Sequence, residues 1–211
     1  MEHEFWHERW RLNQIGFHEP EAHPMLARHW SRLSASGEGD VLVPLCGKSV
    51  DMHWLARQGH SVVGSELSEV AVRDFFAELE IAPSRHGILQ RFQHGRYRLW
   101  CGDFFELTAQ HEPPLSLAYD RAALIALPAT LRQRYAAHLL SLLAPGASVL
   151  LITLQHDHPD LNGPPFCVTH DEIDRLFSDA CRIEHLEQSA ATVKGRFDVQ
   201  ETASWLRKRG G

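Results

Sequence analysis

Apolar residues near the start of the chain fall into two groups: Phe5, Trp6, Trp10 and Leu12, then Met25, Leu26, Trp30 and Leu33. Spacings of three and four residues put such positions on one helical face, so two amphipathic helices are expected about a turn at Gly16 to Pro24. Three of the six tryptophans lie in this region. They either pack as ordinary core or form an aromatic lid over a ligand cleft. The stretch from Ser34 to Gly39 reads as a loop by composition.

From Asp40 the rhythm changes to short apolar runs alternating with helical stretches. Strands are expected at Asp40–Leu45, Ser61–Leu67, Tyr97–Cys101, Leu115–Tyr119 and Ala147–Leu154, with two more near Arg182–Glu187 and Phe197–Leu206. Helices are expected at Ser49–Gln58, stopped by Gly59, and at Ser68–Leu79, with Ser68 as N-cap. Two further helices are expected near Ala129–Leu143 and Asp171–Ser178. Alternation of this kind predicts an α/β, doubly wound, mostly parallel seven-stranded sheet covered on both faces. The last two strands are close enough to pair as an antiparallel hairpin at one edge. The whole chain, 1–211, is read as a single domain: a helical cap over 1–36 and a Rossmann-like core over 37–211.

Composition narrows the function. A net charge of −6 with scattered Lys and Arg offers no face for phosphates, so a nucleic-acid partner is not expected. Arg207, Lys208 and Arg209 read as a solvated tail. No apolar run approaches the ~20 residues that cross a bilayer. The N-terminus has no signal-peptide pattern. Cys46, Cys101, Cys167 and Cys181 form no C-x-x-C pair, which disfavours a zinc ribbon or redox motif and fits reduced thiols in a cytoplasmic protein.

In a doubly wound sheet, ligands bind beyond the carboxyl ends of the strands. Those positions here are Pro44-Leu45-Cys46-Gly47-Lys48-Ser49, Glu66, Gly102-Asp103-Phe104 and Asp120-Arg121. Gly47-Lys48-Ser49 is not a P-loop, because Leu42 stands where that motif requires glycine. The absence of G-x-G-x-x-G disfavours a nicotinamide-dependent oxidoreductase, while a nucleoside without phosphates demands less of this loop. Glu66, about twenty residues on, can accept from both hydroxyls of a ribose, or be an exposed strand-end residue. Asp103 faces an adenine or caps a helix. Arg121 holds a carboxylate or an anionic substrate, or pairs structurally with Asp120. His156-x-His158 alone does not make a metal site, and no metal is expected. A non-catalytic nucleoside-binding protein is the remaining alternative to an enzyme.

Several runs together carry a family resemblance. They are Val43-Pro44-Leu45-Cys46-Gly47-Lys48-Ser49-Val50-Asp51-Met52, Trp54-Leu55-Ala56, Gly59-His60-Ser61-Val62-Val63-Gly64 and Glu66-Leu67-Ser68-Glu69. Upstream stand Trp10, Asn13 and Gly16-Phe17-His18-Glu19; downstream stand Tyr119-Asp120-Arg121-Ala122-Ala123-Leu124 and Gly163-Pro164-Pro165-Phe166. Nearly the whole chain resembles the thiopurine S-methyltransferases, in their bacterial branch. The resemblance implies a class I methyltransferase that binds S-adenosylmethionine. It implies that Trp10, Leu45, Gly47, Glu66, Gly102, Asp103 and Arg121 contact the cofactor. It also implies that Phe17, Pro164, Pro165 and Arg121 wall the substrate pocket, with Arg121 as the catalytic candidate. The implied substrate is a small aromatic or heterocyclic thiol, with selenium and tellurium species as further candidates, and a monomer is the expected state. Ser65 stands where the family usually has an apolar residue. A second substrate-side cation has two candidates, Lys194 and Arg196.

Overall fold

The computed structural model describes residues 3–34, 39–77, 79 and 81–210. Two helices come first, α1 (His3–Arg11) and α2 (Pro24–Leu33). Then follow β1 (Asp40–Pro44), α3 (Val50–Arg57), β2 (Ser61–Glu66), α4 (Glu69–Phe75), β3 (Ser84–His86), β4 (Leu89–His94) and β5 (Tyr97–Cys101). The rest of the chain is β6 (Leu115–Arg121), α5 (Ala129–Ser141), β7 (Leu143–Gln155), α6 (His170–Phe177), β8 (Cys181–Val193) and β9 (Phe197–Lys208). The Ser34–Gly39 loop lies mostly outside the described residues.

The strands form one sheet in the order β3-β4-β5-β2-β1-β6-β7-β9-β8. Its seven-stranded core comprises the seven expected strands, and β5, β2, β1, β6 and β7 run parallel. The predicted terminal hairpin is present, with β9 inserted antiparallel between β7 and β8. The sheet is longer than expected, because β3 and β4 add an antiparallel extension next to β5. β4 alternates weakly, burying only Leu89 and Phe92, so it lacks the apolar run that marks the central strands.

Successive strand residues point to opposite faces. Val41, Val43, Val62 and Tyr119 meet Met25, Trp30, Met52 and Leu55 on one face, under α2 and α3. Leu42, Val63 and Ala118 meet Tyr135, Leu139 and Ile173 on the other, under α5 and α6. The apolar stripe of α2 is thus ordinary core: Met25, Leu26 and Trp30 are almost fully buried. Truncating Trp30 to alanine is expected to cost about 3–5 kcal/mol.

Local signals set the element ends. Ser49 caps α3 by accepting the Asp51 N–H at 3.2 Å. Thr169 caps α6 by accepting from Glu172 N–H at 3.3 Å. Ser68 occupies the N-cap of α4, but its side chain makes no capping bond. Its main-chain N–H donates to Glu66 instead. α4 also stops short of Leu79, with Ala77 at φ +51° just beyond it.

Candidate functional site

The parallel registers put the strand ends in one row. Pro44 pairs with Ser65, and Glu66 pairs with Cys101. Leu42 pairs with Ala118, so Arg121 ends β6 three residues further along, level with Leu45. Glu66 continues the alternate set Val62–Gly64, and Arg121 continues Leu117–Tyr119, so both side chains leave the same face of the sheet. Two strand spacings separate their backbones, about 10 Å.

Glu66 is buried and its carboxylate is fixed by main chain. Oε2 accepts the Gly47 N–H at 2.9 Å, and Oε1 accepts the Ser68 N–H at 2.7 Å. Burial pushes its pKa above the usual carboxylate value, while the amide donors of Ser68, Gly47 and Leu67 pull it back. Two carboxylate oxygens offer about four lone pairs, so with three amides directed at them at least one remains for a further donor. An acceptor-only group of that form fits a vicinal diol, and therefore the ribose of a nucleoside cofactor. The exposed alternative for Glu66 is corrected: it is 6% exposed.

The loop between β1 and α3 is held tightly. Leu45 adopts φ +49° and Gly47 φ +52°. A Cβ on Gly47 would lie 2.9 Å from Cζ2 of Trp10, which is buried against this loop. Lys48 pairs with Asp74 at 3.0 Å rather than presenting its ammonium to a phosphate. Cys46 N–H donates to the Ser65 carbonyl, a main-chain contact that any residue at 65 would accept. Burial pushes the Cys46 thiol well above the usual range, and the Cys101 thiol up to about 12.

At the end of β5, Gly102 has φ +141°, and a Cβ there would lie 2.5 Å from Leu89 Cδ2. Asp103 takes the capping role, accepting the Phe105 N–H at 3.0 Å. Its other oxygen lies 3.3 Å from His3 Nε2.

Arg121 is 17% exposed, and the structural pairing with Asp120 is overturned. Asp120 leaves the opposite face of β6, where it accepts from Tyr135 OH at 2.7 Å and from Leu124 N–H at 3.2 Å. The guanidinium instead lies 3.6 Å from Asp51 and 4.0 Å from Glu19. His18 stands beside it. Burial, Lys48 and Arg121 push that imidazole below its usual value, against the opposing pull of Glu19.

The N-terminal segment touches these strand ends in sheet order. His3 reaches Asp103 beyond β5, Trp10 covers Gly47 beyond β1, and Glu19 meets Arg121 at the end of β6. His23 then bonds Glu201 of β9 at 3.0 Å. Phe17 lies edge-on to Trp6 and Trp10, at 5.8 and 5.7 Å between ring centroids. Pro164 and Pro165 lie in the loop after β7. That loop is tied down by Phe166 N–H to Ile125 O at 2.7 Å and by Val168 N–H to Leu154 O at 2.8 Å. Arg132 clamps the end of the same loop through Cys167 O and Glu172.

Lys194 and Arg196 lie in the β8–β9 turn, where the Arg196 guanidinium covers Phe197 at 4.5 Å. His156 and His158 stack at 6.1 Å. Among the described residues no group of three or more His, Cys, Asp or Glu is arranged to hold a metal. No described helix is long and apolar enough to cross a membrane. Sequence reasoning missed Asp51, Tyr119 and His23. An acidic residue in the first turn of a helix normally signals a solvated partner for the helix dipole, yet Asp51 is fully buried.

Known structures share this architecture. Burkholderia thailandensis 1,6-didemethyltoxoflavin-N1-methyltransferase, crystallised with 1,6-didemethyltoxoflavin and S-adenosylhomocysteine, superposes with a TM-score of 0.67 at 15% identity, over 98% of this chain and 87% of that one. A SAM-dependent methyltransferase from Anabaena variabilis gives a TM-score of 0.67 at 16% identity, over 98% and 95%. The fold is that of the class I, S-adenosylmethionine-dependent methyltransferases.

Residues 1–208 match the family Thiopurine S-methyltransferase. A thiopurine S-methyltransferase of Pseudomonas fluorescens (strain Pf0-1) is 50% identical over 190 residues, 89% of this chain and 87% of that protein. One from Pseudomonas aeruginosa (strain UCBPP-PA14) is 44% identical over 209 residues, 98% and 95%. The chain belongs to the thiopurine S-methyltransferase family, and S-adenosylmethionine is its cofactor. That membership replaces the nicotinamide-dependent and non-catalytic alternatives.

Proposed function

We propose that this chain transfers a methyl group to the sulfur of small aromatic or heterocyclic thiols, and that selenium and tellurium nucleophiles compete for the same site. The observation that carries this reading is the shared row and face of Glu66 and Arg121. It sets the backbone positions that carry an acceptor for a diol and a cation for an anion about 10 Å apart.

Bound S-adenosylmethionine supplies an electrophilic methyl group on a sulfonium. Glu66 accepts from the ribose hydroxyls through the lone-pair capacity that its amide donors leave free. Gly102 and Asp103 border the adenine, Leu45 and Gly47 line the cofactor's path, and Trp10 covers it. Arg121 faces the methionine end and the substrate. Within the proposed cap, α1 and the turn that follows it cover the strand ends while α2 packs as core, and Phe17 with Trp10 excludes water from the cleft. Pro164 and Pro165 wall the substrate side.

An aromatic thiol ionises more readily than a cysteine thiol, whose pKa is about 8.5, so no strong protein base is required. The proton leaves to solvent as the thiol ionises. The Arg121 guanidinium stays charged at any ordinary pH and favours the thiolate over the thiol. Holding reactants in line contributes up to roughly 7–11 kcal/mol. Arg121 and the aromatic residues of the cap do that holding.

Arg121→Ala tests the assignment. Loss of one charge-assisted contact of about 1.5–3 kcal/mol lowers turnover roughly 10- to 100-fold. Cofactor affinity measured by calorimetry changes far less. Unchanged turnover removes Arg121 from the reaction. A methylation assay with aromatic thiols, selenols and tellurite tests the substrate class, and failure with every aromatic thiol rejects it.

A further inference from the structure

The guanidinium proposed to hold the substrate anion is itself held, and the geometry points to Asp51 as the positioning residue for Arg121. This inference rests on the reading of Arg121 given above. Asp51 lies in the first turn of α3 and is 0% exposed. Its Oδ1 accepts the His23 N–H at 2.8 Å, and its Oδ2 accepts the Tyr119 hydroxyl at 3.0 Å. Two donors on opposite oxygens leave the carboxylate no freedom to turn. Its Oδ2 then faces Arg121 Nη1 at 3.6 Å.

The anchor is braced from both sides. Tyr119 precedes Arg121 by two residues on the same face of β6, so its hydroxyl sets the carboxylate against the strand that carries the cation. His23 Nδ1 accepts the Met25 N–H at 3.3 Å, which assigns the ring proton to Nε2, where it donates to Glu201 Oε2 at 3.0 Å. The donor of the His23 amide is thereby fixed between the cap and β9. Glu19, the other carboxylate near Arg121, is 55% exposed and 4.0 Å away. It is a loose partner by comparison. An arginine side chain has many rotamers to lose on ordering. A buried, immobile carboxylate 3.6 Å from Nη1 favours those that keep the guanidinium beside it, leaving its other donors for the cleft.

The test is a double-mutant cycle of D51N and R121A, read as kcat and KM for an aromatic thiol, with cofactor affinity and melting temperature measured alongside. D51N is expected to lower kcat roughly tenfold or more, with cofactor affinity nearly unchanged, and to have no further effect in the R121A background. An equal loss in both backgrounds overturns the inference, since Asp51 would then act independently of Arg121. A loss in R121A without one in D51N overturns the inference and leaves the role of Arg121 standing. No loss in either removes both. If D51N fails to bind cofactor and melts early, Y119F takes its place in the cycle. Its smaller loss must likewise vanish in R121A, and persistence there overturns the proposal.

Discussion

Glu66 and Arg121 end strands on either side of β1, yet their partners differ in kind. Glu66 is held by the amides of Gly47 and Ser68, which are main-chain groups of the two adjoining loops. Arg121 is approached by side chains, Asp51 at 3.6 Å from the first turn of α3 and, more loosely, Glu19 at 4.0 Å from the N-terminal segment. Main-chain donors persist through any substitution short of proline, whereas side-chain partners change with one codon. The difference teaches that the proposed cofactor end is rigid by construction and the proposed substrate end is open to retuning. Substitutions at the proposed substrate end would then leave the main-chain hold on Glu66 intact.

The strongest way to break this contrast is Glu66→Ala. Two hydroxyl contacts to a charged acceptor, at about 1.5 kcal/mol or more each, are lost together, so cofactor affinity should fall on the order of 100-fold. The freed amides of Gly47 and Ser68 are also left buried, which loosens the loop. Calorimetric titration with S-adenosylmethionine checks this. A variant that binds as well as wild type excludes Glu66 from ribose contact.

A smaller effect sharpens the same contrast by comparing two glycines. Gly47 and Gly95 share nearly the same backbone, φ +52° and +55°. A Cβ on Gly95 meets nothing within 4 Å, while one on Gly47 meets Trp10 at 2.9 Å. Gly95→Ala should cost only the left-handed penalty, about 1–2 kcal/mol. Gly47→Ala should exceed it, and Trp10→Leu should relieve the excess. Urea denaturation measures all three. Equal costs at the two glycines would show that Trp10 does not press on the loop.

The strength of backbone building also explains what was legible in the sequence. The seven core strands, the two N-terminal helices and the strand-end position of Glu66 follow from apolar periodicity and from glycine at 47 and 102, which are local signals. The pairing of Arg121 was not legible. Asp120 is its neighbour in sequence, but a strand alternates faces, so the adjacent residue is the one that cannot reach it. Asp51 lies seventy positions upstream and comes close only through the β1–β6 pairing. The β3–β4 extension was likewise hidden, since its few buried residues imitate a polar loop.

The far face of β6 gives the last and smallest test. If the two faces of this strand divide labour, Asp120 is scaffold and Arg121 is chemistry. Burial raises the Asp120 carboxyl from 3.8 to about 6, against the Tyr135, Leu124 and Ala123 hydrogen bonds that lower it. A pKa raised on folding means that the native state binds the proton more tightly. The associated stability is fully present below 3.8 and is lost as pH rises through 6. Between about pH 5 and pH 8, wild type should lose about 1.4 kcal/mol that Asp120→Asn does not lose, close to one pKa unit. The stability advantage of wild type over the variant therefore narrows with rising pH, while thiol methylation at saturating cofactor stays within about twofold. Denaturant midpoints at the two pH values check the first half. A collapse of turnover in Asp120→Asn would show instead that both faces of β6 serve the reaction, because the Tyr135–Asp120 bond would then be setting the path of the chain at Arg121.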